Sequence, residues 1–513
     1  MTHVAFRVDA SQAIGTGHLR RCLSLAQALM AQGAHVCLIV RALDAVAGQV
    51  LHRVPCLVHW LAAPTSALVV CSGDDLPPHH AWAGVGWQQD ARETAACLAE
   101  CQVDWLVVDH YAFDARWHEA MRNTLGSRLL VIDDTADRLL AADAVLDHNW
   151  DHNHSQKYAN RLKHEPLWLT GPRFALLSQA YREAPRYVFS PVVRSIGIFM
   201  GGTDPDGITA QVLAACRHEA GFSGHIEVVS TSANPHLADL RMACMASPAT
   251  TLTLDESDLC AFFARHDLHI GAGGGATWER CCISAPTIAL QVANNQSVVV
   301  HALDQLGALR AATLSTLPDV LCTLIASSDA RLALSQCSAS LVDGRGAQRV
   351  ALSLLCGTLR LRPAAVGDAR LLYGWRNHPA VRAFSGCSDA IAWDDHNRWL
   401  ERSLQVCDRW LFVAEVGSLP VGSIRFDGQA QDRVEVSLYL DPDFHGLRLG
   451  PHLLRAGEQL MESLLCKPFT VEACVVAGNT ASQRLFEACG YSGGPLRYNK
   501  QVRSVSDEPI GRP

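Results

Sequence analysis

A histidine delivered by a glycine turn is the first group in this chain equipped for chemistry. Arg7-Val8-Asp9-Ala10 runs into Ile14-Gly15-Thr16-Gly17-His18-Leu19-Arg20-Arg21. Residues 3–9 read as a buried strand. After them Leu19, Cys22, Leu23, Ala26, Leu29 and Met30 recur at helical spacing until Gly33 closes the helix. Gly15 and Gly17 allow positive φ and close approach of a ligand. His18 thus stands in the first turn of a helix, where the positive end of the dipole disfavours imidazolium and favours a neutral, proton-accepting ring. Deprotonating a water beside a phosphate-bearing ligand is one use for such a group. Capping the helix is the other, and the residues alone leave both open.

Further groups fall at comparable places. Val107-Val108-Asp109-His110-Tyr111 and Val131-Ile132-Asp133-Asp134 end strands in acids, so they point to the same rim as His18, although Asp134 reads better as a cap of the next helix. Tyr111 either meets a ligand or packs under its loop. Gly201-Gly202-Thr203-Asp204 and Gly273-Gly274-Gly275-Ala276-Thr277-Trp278-Glu279 each follow a strand and open a helix, an arrangement whose free N–H groups hold phosphate oxygens. Asp204, a carboxylate that would repel phosphate, is expected to cap its turn. Period two along Arg433–Leu440 puts Glu435, Ser437 and Tyr439 on one strand face, with Glu435 either a base for an ammonium substrate or a solvated carboxylate.

The elements that must position these groups fall into three regions. Strands at 3–9, 35–40, 105–109, 129–133 and 144–146 alternate with helices, and the rhythm restarts at 195–200, 225–230 and 268–270. This α/β order predicts two Rossmann-like domains, at 1–180 and 190–350, with ligands at the carboxyl ends of their strands. From 359 to 500 the order becomes α+β. Strands at 410–416, 419–426 and 433–440 follow one another, then His445-Gly446-Leu447-Arg448-Leu449-Gly450-Pro451, a helix at 452–464, a strand at 470–475 and a helix at 479–488.

Composition narrows the classes. The 513 residues are 49% hydrophobic and 18% charged, which argues against extended disorder. A net charge of −8 offers no global basic surface, so nucleic acid is not an expected partner. No apolar run is long enough to span a membrane and no secretory signal opens the sequence, so a cytoplasmic protein is expected. The 19 cysteines lack any C-x-x-C and sit mostly in apolar runs, reading as buried thiols. His148, His152 and His154 cluster, but among Asp147, Asn149, Asp151 and Asn153 they read as a polar loop. No metal is expected.

Residues 1 to about 350 resemble the UDP-sugar hydrolases of pseudaminic acid biosynthesis, which remove UDP from UDP-2,4-diacetamido-2,4,6-trideoxy-β-L-altrose. The resemblance rests on the two motifs around Asp9 and His18, on Val108-Asp109-His110-Tyr111, on Gly171-Pro172-Arg173-Phe174-Ala175-Leu176-Leu177, on both later glycine loops and on Asn294-Asn295-Gln296. It implies a glycosyltransferase-B arrangement, with His18 as the base for water and Glu279 on the ribose hydroxyls. It implies substrate contacts from Gly15, Gly17, Arg21, Tyr111, Gly201, Gly202, Thr203, Gly274, Gly275, Thr277 and Asn295. UDP leaves readily once its charge is held, so such a site needs donors at the diphosphate and a placed water.

Residues 359 to about 495 resemble the GCN5-related N-acetyltransferases that act on sugar nucleotides. Trp375-Arg376-Asn377-His378-Pro379, His396-Asn397-Arg398-Trp399-Leu400 and the stretch from Asn479 to Tyr491 carry the likeness. It implies acetyl-CoA as co-substrate, held by Leu447, Arg448, Gly450 and Asn479, and a UDP-amino-sugar as acceptor. Two departures stand out: Arg448 replaces the first glycine of the pyrophosphate loop, and Phe486 stands where a thiolate-protonating tyrosine is common, leaving Tyr491 or a water for that role, or a thiolate of moderate pKa that departs unassisted. Together the regions predict an enzyme that N-acetylates a UDP-4-amino sugar and then hydrolyses the product. A UDP-sugar glycosyltransferase and a non-catalytic nucleotide-sugar sensor are the alternatives.

Overall fold

Seven short apolar runs in the first third form one parallel sheet, because each is too apolar to leave a face in water and helices cover both sides. They are β1 (His3–Val8), β2 (His35–Arg41), β3 (Leu57–Leu61), β4 (Trp105–Asp109), β5 (Arg128–Ile132), β6 (Ala144–Asp147) and β7 (Leu167–Thr170). Their order in the sheet is β3-β2-β1-β4-β5-β6-β7, all parallel. The chain therefore leaves β1 in one direction and returns at β4 on its other side, which opens a crevice at the carboxyl ends of these two strands. The computed structural model describes residues 1–52, 54–65, 76–256, 258–292, 296–385, 388–430, 432–494 and 496–502.

A second sheet repeats the plan. It comprises β8 (Ser195–Phe199), β9 (His225–Ser230), β10 (Thr250–Leu254), β11 (Leu268–Ala272), β12 (Thr287–Leu290) and β13 (Arg310–Ala312), in the order β10-β9-β8-β11-β12-β13, again all parallel. Its crevice lies between β8 and β11, and the two later glycine loops follow those two strands. Both sheets lie in one compact unit, Met1–Val350 save for a three-residue stretch. Two doubly wound sheets in succession form the glycosyltransferase-B arrangement.

A second unit begins at Ala351. Its sheet is mostly antiparallel: β14 (Arg360–Pro363), β15 (Arg409–Val416), β16 (Leu419–Gln429), β17 (Arg433–Leu440), β18 (Phe469–Cys474), β19 (Ser492–Gly494) and β20 (Arg497–Val502), in the order β14-β15-β16-β17-β18-β20-β19. The pair β17–β18 is parallel, because the helix Leu449–Leu465 crosses over between them. That helix starts three residues before the expected 452, so Pro451 is its third residue, where the missing N–H is still harmless.

Under the first crevice lies a buried charge network. Arg7 holds Asp9 through Nη1 (2.6 Å) and Nη2 (2.9 Å), and Asp90 through Nε (3.1 Å) and Nη2 (2.6 Å). Arg41 donates to Asp90 from Nη2 (2.8 Å) and, from its backbone N–H, to Asp9 (2.7 Å). All four side chains are out of solvent. Two guanidinium and two carboxylate groups pair there, with Glu93, His110, Trp117 and the Ala62 carbonyl completing most of the remaining contacts, the condition under which buried charge is tolerated. The network fixes the residue from which the His18 loop departs.

The described cysteines are free thiols, most of them buried or partly buried. Among the described residues no helix is long and apolar enough to cross a membrane, and no group of three metal-ligating side chains forms. His154 Nε2 instead faces the carbonyl of Asn149 at 3.1 Å.

Candidate functional site

His18 enters the crevice from the helix Gly17–Ala31 directly after β1, and Asp109 is the last residue of β4. The strand order makes these neighbours across the crevice. His18 Nδ1 lies 2.6 Å from Asp109 Oδ1. Arg21 Nη2, which only donates, also lies 3.2 Å from Nδ1, but the much shorter contact to a carboxylate, which only accepts, favours the proton on Nδ1 and leaves Nε2 as the acceptor. Arg21, one turn along the helix, forks the same carboxylate from Nε to Oδ2 and from Nη2 to Oδ1, both at 2.6 Å. Burial pushes the Asp109 carboxyl up, but Arg21 and His18 outweigh it and hold it well below the usual carboxylate range. Asp109 is thus a fixed anion that orients the imidazole and stabilises a positive charge forming on it.

Several expected contacts take other roles. Arg21, expected against substrate, spends Nε and Nη2 on Asp109, with Nη1 at 4.0 Å from Asp134. Tyr111 is buried, sets its ring edge-on to His18 at 4.7 Å and donates its hydroxyl to Asp134, so it packs beneath the site instead of facing a ligand. Asp134 is no helix cap: besides Tyr111 it accepts from Asn149 Nδ2 at 3.1 Å. Asn149 Oδ1 in turn accepts from Trp278 Nε1 (3.3 Å), which ties the first sheet's rim to the helix after β11. Gly15 takes φ +79° to close its turn, whereas Gly17 needs no positive φ and leaves open space beside the helix start. His148, directly after β6, is buried, and burial, aided by Arg21, pushes its pKa down to about 4.

The second sheet supplies the loops. After β8, Gly201 takes φ +108° and Gly202 accepts from Thr231 Oγ1 at 2.5 Å, with Thr203 half-buried beside them. Asp204 caps as expected, accepting from the N–H groups of Ile208 (2.9 Å) and Thr209 (3.0 Å). That cap takes the N–H groups of Ile208 and Thr209, and leaves Gly201, Gly202 and Thr203 ahead of it as the loop's expected donors.

In the loop after β11 the N–H groups of Gly274 and Gly275 meet no acceptor among the described residues. A Cβ on Gly273 would lie 2.2 Å from the Val300 side chain, so glycine is required there, and Gly275, at the N-cap, has no side chain to close the helix Ala276–Ile283. Thr277, expected against substrate, is buried with its hydroxyl between the Ala272 carbonyl (3.5 Å) and Arg280 Nη2 (3.1 Å), so it braces the loop from inside. Glu279 is half-buried. Burial raises its carboxyl above the ordinary range, against the pull of the Tyr181 hydroxyl and of Arg20 from the first sheet's helix. Asn295 lies outside the described residues. Sequence reasoning missed Asn149, Tyr181 and the Trp278 contact; the position of Asn149 just past the carboxyl end of β6 was the available signal.

The C-terminal unit holds a separate constellation. Glu435 lies on β17 opposite Asp427 of β16 and beside Glu472 of β18, and it accepts from Gln429 Nε2 at 2.9 Å. Pairing of β17 with β18 stops at Val436–Ala473, although β17 continues to Leu440. β18 itself ends at Cys474, so the Ser437–Leu440 stretch of β17 runs on beyond its pairing with β18. Tyr439 stands on that stretch, its hydroxyl pushed up to about 12 by burial. Arg448 takes φ +58°, the left-handed conformation that explains why glycine suits the position. It precedes the uncapped start of the helix Leu449–Leu465.

Other expected acetyl-CoA contacts are corrected in part. Leu447 and Gly450 are buried, and a Cβ on Gly450 would meet Leu485 at 3.3 Å, so these two can offer backbone but no exposed side chain. Asn479 is the N-cap of the helix Thr480–Ala488, accepting from Ser482 N–H at 3.0 Å. Tyr491 is buried and donates to Glu458 (2.8 Å), which also holds Lys500 (2.7 Å), so its proton is committed to that cluster.

Comparison with known proteins divides along the same line. Residues 358–492 match the family described as acetyltransferase (GNAT) domain. This part of the chain is a GNAT acetyltransferase domain by that match. Over 188 residues the chain is 28% identical to the spore coat polysaccharide biosynthesis protein SpsG of Bacillus subtilis (strain 168), covering 35% of this chain and 56% of that protein. It thus spans about half the length of that curated relative. Among solved structures, MurG of Acinetobacter baumannii aligns over 68% of this chain and 98% of its own at 15% identity and TM-score 0.47. Spermidine N-acetyltransferase from Vibrio cholerae, in complex with CoA and spermine, aligns over 28% and 95% at 15% identity and TM-score 0.25.

Proposed function

We propose that this chain is a bifunctional enzyme of pseudaminic acid biosynthesis. Its C-terminal unit acetylates the 4-amine of a UDP-4-amino sugar from acetyl-CoA. Its N-terminal unit hydrolyses the resulting UDP-2,4-diacetamido-2,4,6-trideoxy-β-L-altrose to free sugar and UDP. The observation that carries the hydrolase half is the His18–Asp109 pair at the crevice of the first sheet. His18 Nε2 takes a proton from water as it attacks the anomeric carbon, and the positive charge formed on the ring is balanced by Asp109. UDP departs toward Gly274 and Gly275, with Glu279 on the ribose. The likeness to a polysaccharide biosynthesis protein fits a substrate class of activated sugars.

For the transferase half, the Ser437–Leu440 stretch of β17, which runs on beyond its pairing with β18, offers backbone donors and acceptors to the amide arm of acetyl-CoA, and the helix start after Arg448 receives its pyrophosphate. Glu435 accepts the ammonium proton, directly or through water. The thiolate leaves without help from Tyr491. Mass spectrometry of the purified full chain with the UDP-4-amino sugar and acetyl-CoA tests both halves: acetylated UDP-sugar, then free diacetamido sugar and UDP, with no added acceptor. UDP release only when an acceptor is supplied would mean a glycosyltransferase, and binding without turnover a sensor.

A further inference from the structure

Four aromatic rings gather at the first crevice. Between β3 and the helix Trp87–Cys97 the chain makes a short 3-10 turn, His80–Ala83, that is pinned at both ends. His80 Nδ1 meets the Pro77 carbonyl at 3.0 Å, and a Cβ on Gly84, which closes the turn at φ +70°, would lie 2.6 Å from the Pro64 side chain. Held in this way, Trp82 brings its ring centroid to 5.9 Å from that of His18, nearly perpendicular to it, and stacks on Tyr111 at 5.6 Å. His79 leans on both, 4.5 Å from Trp82 and 5.5 Å from Tyr111. Two of these rings have polar atoms to spare. Trp117, a space-filling tryptophan of the same unit, is fully buried and spends Nε1 on Asp90 at 3.1 Å. Trp82 is only partly buried, and neither its Nε1 nor a ring nitrogen of His79 has a hydrogen-bond partner among the described residues. Burial, helped by Arg138 and His18 and opposed by Asp137, lowers the His79 pKa, so its ring is neutral at pH 7 and both donates and accepts.

Aromatic rings beside a free indole N–H and a neutral imidazole match an acetamido group, of which the sugar in the reading above carries two. The methyl and the planar amide pack on the rings, the carbonyl accepts from Trp82 Nε1, and the amide N–H donates to His79. A free amine, protonated near pH 7, has donors only, and in the same place it would leave the indole N–H unpaired. We infer that His79 and Trp82 are specificity-determining residues that bind an acetamido group of the sugar beside His18. This rests on the UDP-sugar reading above and adds a selection to it: where the group is the one at carbon 4, cleavage of the sugar nucleotide waits until the C-terminal unit has acetylated it.

The test is calorimetry on the full chain with UDP and two pairs of sugar nucleotides. One pair is UDP-N-acetylglucosamine and UDP-glucosamine; the other is the 4-acetamido and 4-amino forms of the proposed substrate, also followed for UDP release without acetyl-CoA. The acetylated member of at least one pair should bind at least about tenfold tighter, the cost of one donor left unpaired. The pair that responds tells which acetamido group the rings hold. Trp82→Phe, which keeps a ring and loses the N–H, should cut that preference several-fold. Trp82→Leu should abolish it, with UDP affinity unchanged in both variants, and His79→Ala should lower it. Should the leucine variant misfold, the phenylalanine variant decides. No preference in either pair, or one that survives both Trp82 variants, would overturn the inference. So would a loss of UDP affinity equal to the loss for the sugars, which marks a purely structural support of His18. A Trp82-dependent preference in binding without UDP release would keep this inference and sink the hydrolase reading instead. A chain that binds none of the sugar nucleotides would sink both.

Discussion

Asp109 Oδ1 sits 2.6 Å from His18 Nδ1, a contact short enough, against 3.2 Å from Arg21 Nη2 to the same nitrogen, to favour Nε2 as the available face of the imidazole. The two residues are 91 positions apart, yet the crossing from β1 to β4 places both at the crevice. His18→Asn should leave UDP binding intact and lower turnover about 100-fold, the usual worth of a general base. Asp109→Asn should lower turnover as well, through the wrong tautomer. Steady-state kinetics with a UDP titration separate the two quantities, and near-normal turnover of His18→Asn would reduce that residue to a cap.

Asp109 is also structural. Asp109→Ala strands the Arg21 guanidinium and should cost about 3–5 kcal/mol, the range for breaking a buried ion pair. Urea denaturation checks this.

Glu279 shares a hydrogen bond with Tyr181. Glu279→Ala is expected to weaken UDP binding with little effect on the rate of bound substrate. Glu279→Gln, which can still accept from the phenol, should weaken it less. A fall in turnover at saturating substrate would place Glu279 in the chemistry itself.

His148 gives the first unit an acid sensitivity. Its folded pKa, about 4, lies below its ordinary 6.5, so the unfolded chain binds the proton more readily and stability falls as pH drops through that window. From pH 7 to pH 5 the loss from this residue should be about 2 kcal/mol. His148→Asn should show a correspondingly shallower decline in urea midpoints between the two pH values.

Arg448→Gly should stabilise the C-terminal unit by about 1 kcal/mol, since glycine adopts φ +58° without strain. Acetyl-CoA binding should weaken several-fold at low salt and recover toward wild type at high salt, because an exposed charge is screened. Binding that collapses at every salt concentration would show that Arg448 makes a specific contact.

Much of this was legible in the sequence because glycine loops after apolar strands announce themselves locally. The alternation of strands and helices, the placing of His18, Asp109 and the two loops at strand ends, and the change to an antiparallel region near 359 all follow from short-range pattern. Edge strands were missed: β10, Thr-Thr-Leu-Thr-Leu, is only partly buried, and β13 is three residues long. Side-chain direction was also out of reach. Thr277 looked like a substrate contact and faces inward, while Asp134 looked like a cap and meets Tyr111 and Asn149. Such pairings join residues tens of positions apart, and no local rule encodes them.

Arg7, Asp9, Arg41 and Asp90 behave as a single inherited character. None can be exchanged alone without stranding a charge in the protein interior, so variants must arrive at several of them together or pass through unstable intermediates. A lineage carrying this arrangement would drift freely on its outer helices while the departure point of the His18 loop stayed fixed. For directed evolution the corollary is practical: libraries that vary one of these four positions at a time will return almost nothing, whereas joint apolar replacement of all four is the place to look for altered loop geometry.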